Sequence, residues 1–434
     1  MKLGNHFLLQ VALREHHNFP DGAEIPKEVE LSENIGPIYF KNKPDTDNVC
    51  VLVTANRRIQ TSYYVGVDWI DKSKAIYVEP KLNNGTNQTD YLKMLFSALQ
   101  HPDIADHTDN LFEIKWDAAP IIIEQKQDLL TPLLVVQYLK IVQRIVRKGL
   151  KKSYYKVEHN LYGKVKGKIN VSQTTKKNLF KNKPLHTYCS YDEFGLNGLE
   201  NRLLKKALVF VHRYLPGLKN LNSAAYTENI FNYINPAFEF VSEEVSLHDV
   251  KHTKTNVFYK EYEEAIRLAK LILKRFGYNI SNTDKHAIIT TPPFWIDMSK
   301  LFELYVLGQL KEKYGNEILY GNKEAKAKYG LPDFLLTKES DKTIIDTKYK
   351  PIYQDNKYDI DNIRQLSGYG RDKGVLKKLG LLTTEDQNMA VIKCLIIYPD
   401  QKKDECLWDN DESEIEGFVK FHKRPIKLPV IPNT

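Results

Sequence analysis

The chain is short of cysteine and of long apolar runs, and each shortage removes a class of protein. Only Cys50, Cys189, Cys394 and Cys406 occur in 434 residues, and none forms a C-x-x-C pair. Neither a disulfide framework nor a structural zinc site is therefore expected, and a reducing cytoplasm fits best. No stretch of about 18 apolar residues is present, so no bilayer-spanning helix is expected. The opening Met1-Lys2-Leu3-Gly4-Asn5-His6 lacks the basic-then-apolar succession of a signal peptide, and none is expected. Internal repeats and low-complexity tracts are missing too. What remains is a globular composition, 42% hydrophobic and 27% charged, long enough for roughly three domains. Sixty-three Lys and Arg against 55 Asp and Glu leave a formal charge of +8, which permits a polyanionic partner without requiring one.

The pattern predicts a mixed α/β (α+β overall) chain in three segments. Residues 1–125 read as β-rich, with β-branched and aromatic residues enriched at Val49–Val53 and Ser62–Val67 and a short strand at Ala75–Pro80. Leu92, Leu95, Phe96 and Leu99 have helical spacing, which predicts a helix over Tyr91–Leu99, before a polar loop at His101–Asn110. Residues 126–290 read as helical, with helices at Pro132–Arg147, Leu199–Tyr214 and Glu261–Phe276. Between them, 153–175 alternates Tyr, Val and Lys around Gly163 and Gly167. That predicts a basic hairpin or ribbon, either a DNA-phosphate contact or a solvated face. Pro292-Pro293 marks the last expected boundary. The third segment, 291–434, is an α/β unit: helix 299–313, strands 333–337 and 343–349, helix 360–371 and strand 390–398.

Chemistry concentrates in that last segment. Pro332-Asp333 leads into one strand, a polar turn comes next, and the chain returns as Thr343-Ile344-Ile345-Asp346-Thr347-Lys348-Tyr349. Alternation along a strand puts Asp346 and Lys348 on one face, and a hairpin across 338–342 brings Asp333 close to Asp346. Two carboxylates and an ammonium suit phosphodiester hydrolysis with Mg²⁺, which prefers hard oxygen ligands. The alternative is a turn-capping Asp333 beside a solvated Asp346–Lys348 pair; the apolar Ile344-Ile345 before Asp346 makes an unpartnered acid there costly. Glu303 shares a helical stripe with Leu307 and Leu310, so it is either a buried, paired carboxylate or a metal-site residue. Gln365 and Tyr369, four apart, can face one groove. By pattern alone, Gln365 reads as surface and Tyr369 as core. His248 and His252 are also four apart, but with no glutamate between them and no third ligand they read as surface residues.

At these residues the sequence resembles the PD-(D/E)xK nuclease superfamily. The resemblance implies a restriction-endonuclease-like C-terminal domain. In it Asp333 and Asp346 bind metal, Lys348 is catalytic, Glu303 is a further acid and metal ligand, and Gln365 with Tyr369 matches a Q-x-x-x-Y that shapes the site or contacts DNA. Lys350, in Asp346-Thr347-Lys348-Tyr349-Lys350, is grouped with them. Tyr155–Leu161, Lys166–Ile169, Tyr188–Phe194, Glu200–Lys205 and Pro293–Met298 further resemble McrC, the nuclease subunit of McrBC-type restriction systems, over roughly residues 150–400. Leu331 departs from the arginine frequent before Pro-Asp in that family, and 400–434 has no counterpart.

The McrC resemblance implies an endonuclease acting on double-stranded DNA with one or two Mg²⁺ ions, docked through its N-terminal region onto a McrB-like AAA+ GTPase ring. The chain itself would then bind no nucleotide. In agreement, Gly163-Lys164-Val165-Lys166-Gly167-Lys168-Ile169 has the wrong glycine spacing for a phosphate loop and no Ser or Thr after its lysine. Two alternatives stay open: a related two-gene system that reads an unmodified sequence, and a non-catalytic activator of the ring. The partner's DNA-reading domain separates the first, and the intact Asp333, Asp346 and Lys348 argue against the second.

Overall fold

The computed structural model describes residues 7–8, 13–15, 23–24, 36–45, 48–54, 58–71, 74–82, 88–98, 104, 107–108, 111–124, 130–214, 224–247, 249–250, 260–279, 288–321, 331–350, 353, 358–401 and 412–431. His248, His252 and Cys406 lie outside them. The architecture is mixed α and β. Among the described residues no helix is long and apolar enough to cross a membrane.

Contacts divide the chain into two compact units, Met1–Leu133 with Asp284–Thr434, and Leu134–Thr283. The first and third expected segments thus meet in one unit. The join is a strand. Immediately after Pro292-Pro293, Phe294–Asp297 pairs on one side with Tyr64–Trp69 and on the other with Phe112–Ile114, both antiparallel. Trp295 is fully buried among Val51, Ile59, Tyr64, Ile76 and Val78, and its indole N–H donates to Asp68 at 2.8 Å. Asp68 also takes the Lys115 ammonium at 2.6 Å, so its charge is paired below the surface. The prolines end one strand and start another rather than opening a linker.

Asp297 then caps the helix Met298–Tyr314, its carboxylate accepting from the Lys300 N–H at 2.9 Å. Tyr91–Ala98 packs against that helix. At Gly308 an added Cβ would lie 2.9 Å from the Ala98 Cα, which is why two helical backbones can come so near here.

The helix delivers the chain to a six-stranded sheet in the order Ile318–Tyr320, Phe334–Leu336, Thr343–Thr347, Lys393–Pro399, Phe421–Ile426, Ser413–Glu414. The first two pairings are antiparallel, the next two parallel and the last antiparallel. Ile363, Leu366 and Tyr369, from the helix Ile360–Tyr369, bury against Leu335, Ile344, Cys394 and Ile396 on one face. The strand Phe421–Ile426 falls in the segment 400–434, for which sequence pattern predicts no element. Its Lys423 and Arg424 are buried, but Lys423 donates to the Tyr353 carbonyl at 3.1 Å and Arg424 meets Glu412 at 2.5 Å. Charges satisfied in this way can occupy an interior strand.

The second unit holds most of the helix Leu130–Lys148, together with Leu199–Tyr214, Ala224–Ile234 and Lys260–Asn279. Ser153–Tyr162 pairs along its whole length with His186–Gly195, and Lys168–Ile169 pairs with that same strand from the other side. The expected local hairpin over 153–175 is therefore different in kind. Asn170 caps a helix at Val171–Lys177, its side chain accepting from Gln173 N–H at 3.1 Å, and the strand's partner comes later in the chain. Asn201 is structural: its amide donates to the carbonyls of Lys151 and Leu196 and its oxygen accepts from Tyr262.

Candidate active site

The site is built on a hairpin. Phe334 pairs with Ile345, Leu335 with Ile344 and Leu336 with Thr343. One further step of that register sets Asp333 across from Asp346, and opposed residues of an antiparallel pair share a face. The face is the one covered by Ile360–Tyr369, because Ile344, two residues before Asp346, packs against that helix. The strand ends at Thr347, earlier than alternation predicts. Thr347 turns into the site where the strand ends: its N–H and hydroxyl donate to the Asp333 carboxylate at 2.7 and 2.6 Å. Alternation alone would turn Thr347 away from the acids.

Asp346 is 3% exposed. Its carboxylate lies 2.6 Å from the Lys348 ammonium, yet that oxygen has no well-angled hydrogen bond, so the contact is chiefly electrostatic. Burial and then the neighbouring Asp333 push the Asp346 carboxyl up to about 7 against the pull of Lys348. Burial works in the opposite sense on Lys348, but the Asp346 carboxylate outweighs it and holds the ammonium above its ordinary value. Lys348 also donates to the Gln365 side-chain oxygen at 3.1 Å, and the Gln365 amide donates to the Tyr369 hydroxyl at 2.9 Å. The i and i+4 pair thus reaches the site as a relay, with Gln365 exposed and Tyr369 buried.

Glu303 stands apart. Its carboxylate accepts from the Lys300 ammonium at 3.1 Å and the Tyr320 hydroxyl at 2.5 Å. Tyr320 pairs with Phe334, hence lies on the sheet face opposite Asp346. Glu303 still feels the site: burial first and Asp333 second raise its carboxyl to about 7. Lys350 turns to Asp359 at 3.4 Å and makes no contact with the acids. Among the described residues, no three acids, histidines or cysteines converge as a ready-made metal cage.

Gly321 is a site residue that sequence pattern does not reveal. Its N–H donates to the Asp333 carbonyl at 2.8 Å, and a Cβ there would stand 1.7 Å from the Pro332 carbonyl oxygen. Only glycine lets the backbone come this close and so fix the Pro332–Asp333 peptide. Gly321→Ala is expected to lower stability by about 1–3 kcal/mol through overpacking, read as a lower denaturant midpoint at unchanged slope. An unshifted midpoint would contradict the close approach.

A family model described as McrBC 5-methylcytosine restriction system component matches residues 59–371. No curated protein matches the chain. Among solved structures, it is similar to a refined half-complex of Thermococcus gammatolerans McrB AAA+ hexamers with bound McrC, at 16% identity over 92% of this chain and 85% of that one, TM-score 0.37. It is also similar to the Thermococcus gammatolerans McrBC complex, at 16% identity over 70% and 87%, TM-score 0.28. Likenesses this distant carry no functional weight.

Proposed function

The chain belongs to the McrBC 5-methylcytosine restriction system component family, and from that premise we propose that it is the Mg²⁺-dependent endonuclease subunit, cutting double-stranded DNA when engaged by an McrB-like AAA+ GTPase ring. One observation carries the reading: the hairpin register that opposes Asp333 and Asp346 with the Lys348 ammonium 2.6 Å from Asp346.

Asp333 and Asp346 are the residues that would hold Mg²⁺. The donor set fits, since this ion takes one or two carboxylates and fills its other positions with water and phosphate oxygens. A buried Asp346 whose ionisation is opposed by burial and by Asp333 gains from a cation beside it. Bound there, Mg²⁺ would supply Lewis-acid polarisation of the scissile phosphate. Lys348 places positive charge where the phosphate oxygens gain negative charge, and orients the attacking water. Gln365 holds the lysine's ammonium in place, and Tyr369 holds Gln365. Glu303, on the far face and tied to Lys300 and Tyr320, serves as an acid behind Asp333 that positions water. Lys350 contacts the DNA backbone.

The test is reconstitution with an McrB-like GTPase. GTP- and Mg²⁺-dependent cleavage of methylated plasmid is expected, with unmethylated plasmid spared. An intact complex that hydrolyses GTP and cuts neither plasmid would make the chain an activator rather than a nuclease. Cleavage of both would remove the dependence on modification.

A further inference from the structure

The segment that carries Lys348 leaves the sheet at Thr347, and the ladder holds only part of the stretch beyond it. The Lys348 N–H donates to the Ile397 carbonyl at 2.9 Å, and the Lys350 N–H to the Lys348 carbonyl at 2.7 Å. The next peptide is fixed from far along the chain. The Lys81 ammonium donates to the Tyr349 carbonyl at 2.6 Å and lies 4.0 Å from the centroid of the Tyr349 ring. One cation therefore clamps both the backbone and the side chain of the residue after Lys348.

Lys81 is itself anchored. Its N–H donates to the Glu15 carboxylate at 3.2 Å, and the Glu15 N–H donates to the Glu79 carbonyl at 2.9 Å. Leu13 and Arg14 pair in parallel with Val78 and Glu79. Glu15 is 1% exposed, and burial lifts its carboxyl to about 7 against the pull of the neighbouring Lys81. The Tyr349 ring also packs on Phe302, with 5.6 Å between ring centroids.

We propose that Lys81 is a positioning residue for Lys348, through which the N-terminal sheet sets the aim of the site's ammonium; this rests on the nuclease reading above. A displacement near 1 Å can cost about 10²-fold in rate, and removing one of several restraints should cost less. Lys81→Met in the reconstituted complex is expected to slow single-turnover cleavage about tenfold at saturating DNA, with the DNA concentration for half-maximal rate unchanged. Lys81→Arg, which can donate to the same carbonyl, is expected to recover most of the rate. A second readout needs no cleavage: acylation of Lys348 by a water-soluble anhydride, followed by mass spectrometry, should speed up in Lys81→Met as the lysine loses its hold beside Asp346.

If Lys81→Met does not fold, Glu15→Gln/Lys81→Met removes both charges together and takes the same measurements. Wild-type cleavage and wild-type acylation in a folded variant would overturn the proposal. Asp346→Asn, run in parallel, separates the two claims: if it cuts normally the nuclease reading fails, whereas if it is inactive while Lys81→Met is normal, only the positioning role fails.

Discussion

Asp346→Asn is expected to lower DNA cleavage by the GTP-driven complex by at least about 10²–10³-fold, leaving assembly with the ring and GTP hydrolysis intact. Asparagine preserves the shape of the side chain, so the hairpin should fold as before. The substitution removes the charge of the more buried acid. With it go half of the carboxylate pair that would hold Mg²⁺ and the anion that keeps the Lys348 ammonium above its ordinary pKa. Asp333→Asn should fall in the same range. The N–H and the hydroxyl of Thr347 both donate to one oxygen of its carboxylate, and an amide oxygen in that place can accept both, so the charge is what the substitution removes. Plasmid cleavage by purified complex, with GTP turnover measured in the same tubes, decides the matter. An Asp346→Asn complex that cuts at the wild-type rate would remove the site from the mechanism.

The hairpin is legible in the sequence because both of its strands state their register in local terms: apolar pairs flank a polar turn, and the alternation carries Asp346 and Lys348 to one face. Helix Leu199–Tyr214 is legible for similar reasons, through its spacing and the Pro216-Gly217 stop signal. Three things are not. The strand's end at Thr347 depends on Asp333 capturing the Thr347 N–H, a contact across 14 residues that no alternation pattern encodes. The strand Phe421–Ile426 hides its interior position behind Lys423 and Arg424, whose partners Tyr353 and Glu412 lie at a distance in sequence. The strand Phe294–Asp297 comes after a Pro-Pro pair that reads as a domain boundary, although its pairing partners lie in the first 114 residues. In each case the missing information is tertiary. Glu303 illustrates the limit for the site itself. Its stripe indicates a buried, paired carboxylate or a metal-site residue; it is half-buried and paired with Lys300 and Tyr320, and only sheet topology puts Tyr320 and Glu303 on the face opposite Asp346.

Without divalent cation, the protein is expected to lose stability between about pH 5 and pH 8, and Mg²⁺ should restore part of the loss. Burial is the leading cause that lifts three carboxyls, Glu15, Glu303 and Asp346, each to about 7. A group whose folded pKa lies above its unfolded value binds its proton more tightly in the native state. The stabilisation it gives is complete below the unfolded value, near pH 4, and is lost as pH rises through about 7. Lys348 adds nothing in this window, because its raised pKa acts only at alkaline pH. For Asp346 the loss is on the order of a few kcal/mol at most. A cation between Asp333 and Asp346 would favour the ionised carboxylate and offset the Asp346 share, but it would leave the Glu15 share untouched. Thermal midpoints measured at intervals from pH 5 to pH 8, with and without Mg²⁺, should therefore diverge as the pH rises. Asp346→Asn, which carries no proton to lose, is expected to flatten the metal-free profile, to be more stable than wild type at pH 8, and to respond little to Mg²⁺. The same substitution would then raise stability and abolish cleavage, as expected where an acid is kept in an unfavourable setting for its chemistry. Parallel profiles for wild type and Asp346→Asn would show that this acid is not held against its own ionisation, and the case for a cation beside it would lose its electrostatic basis.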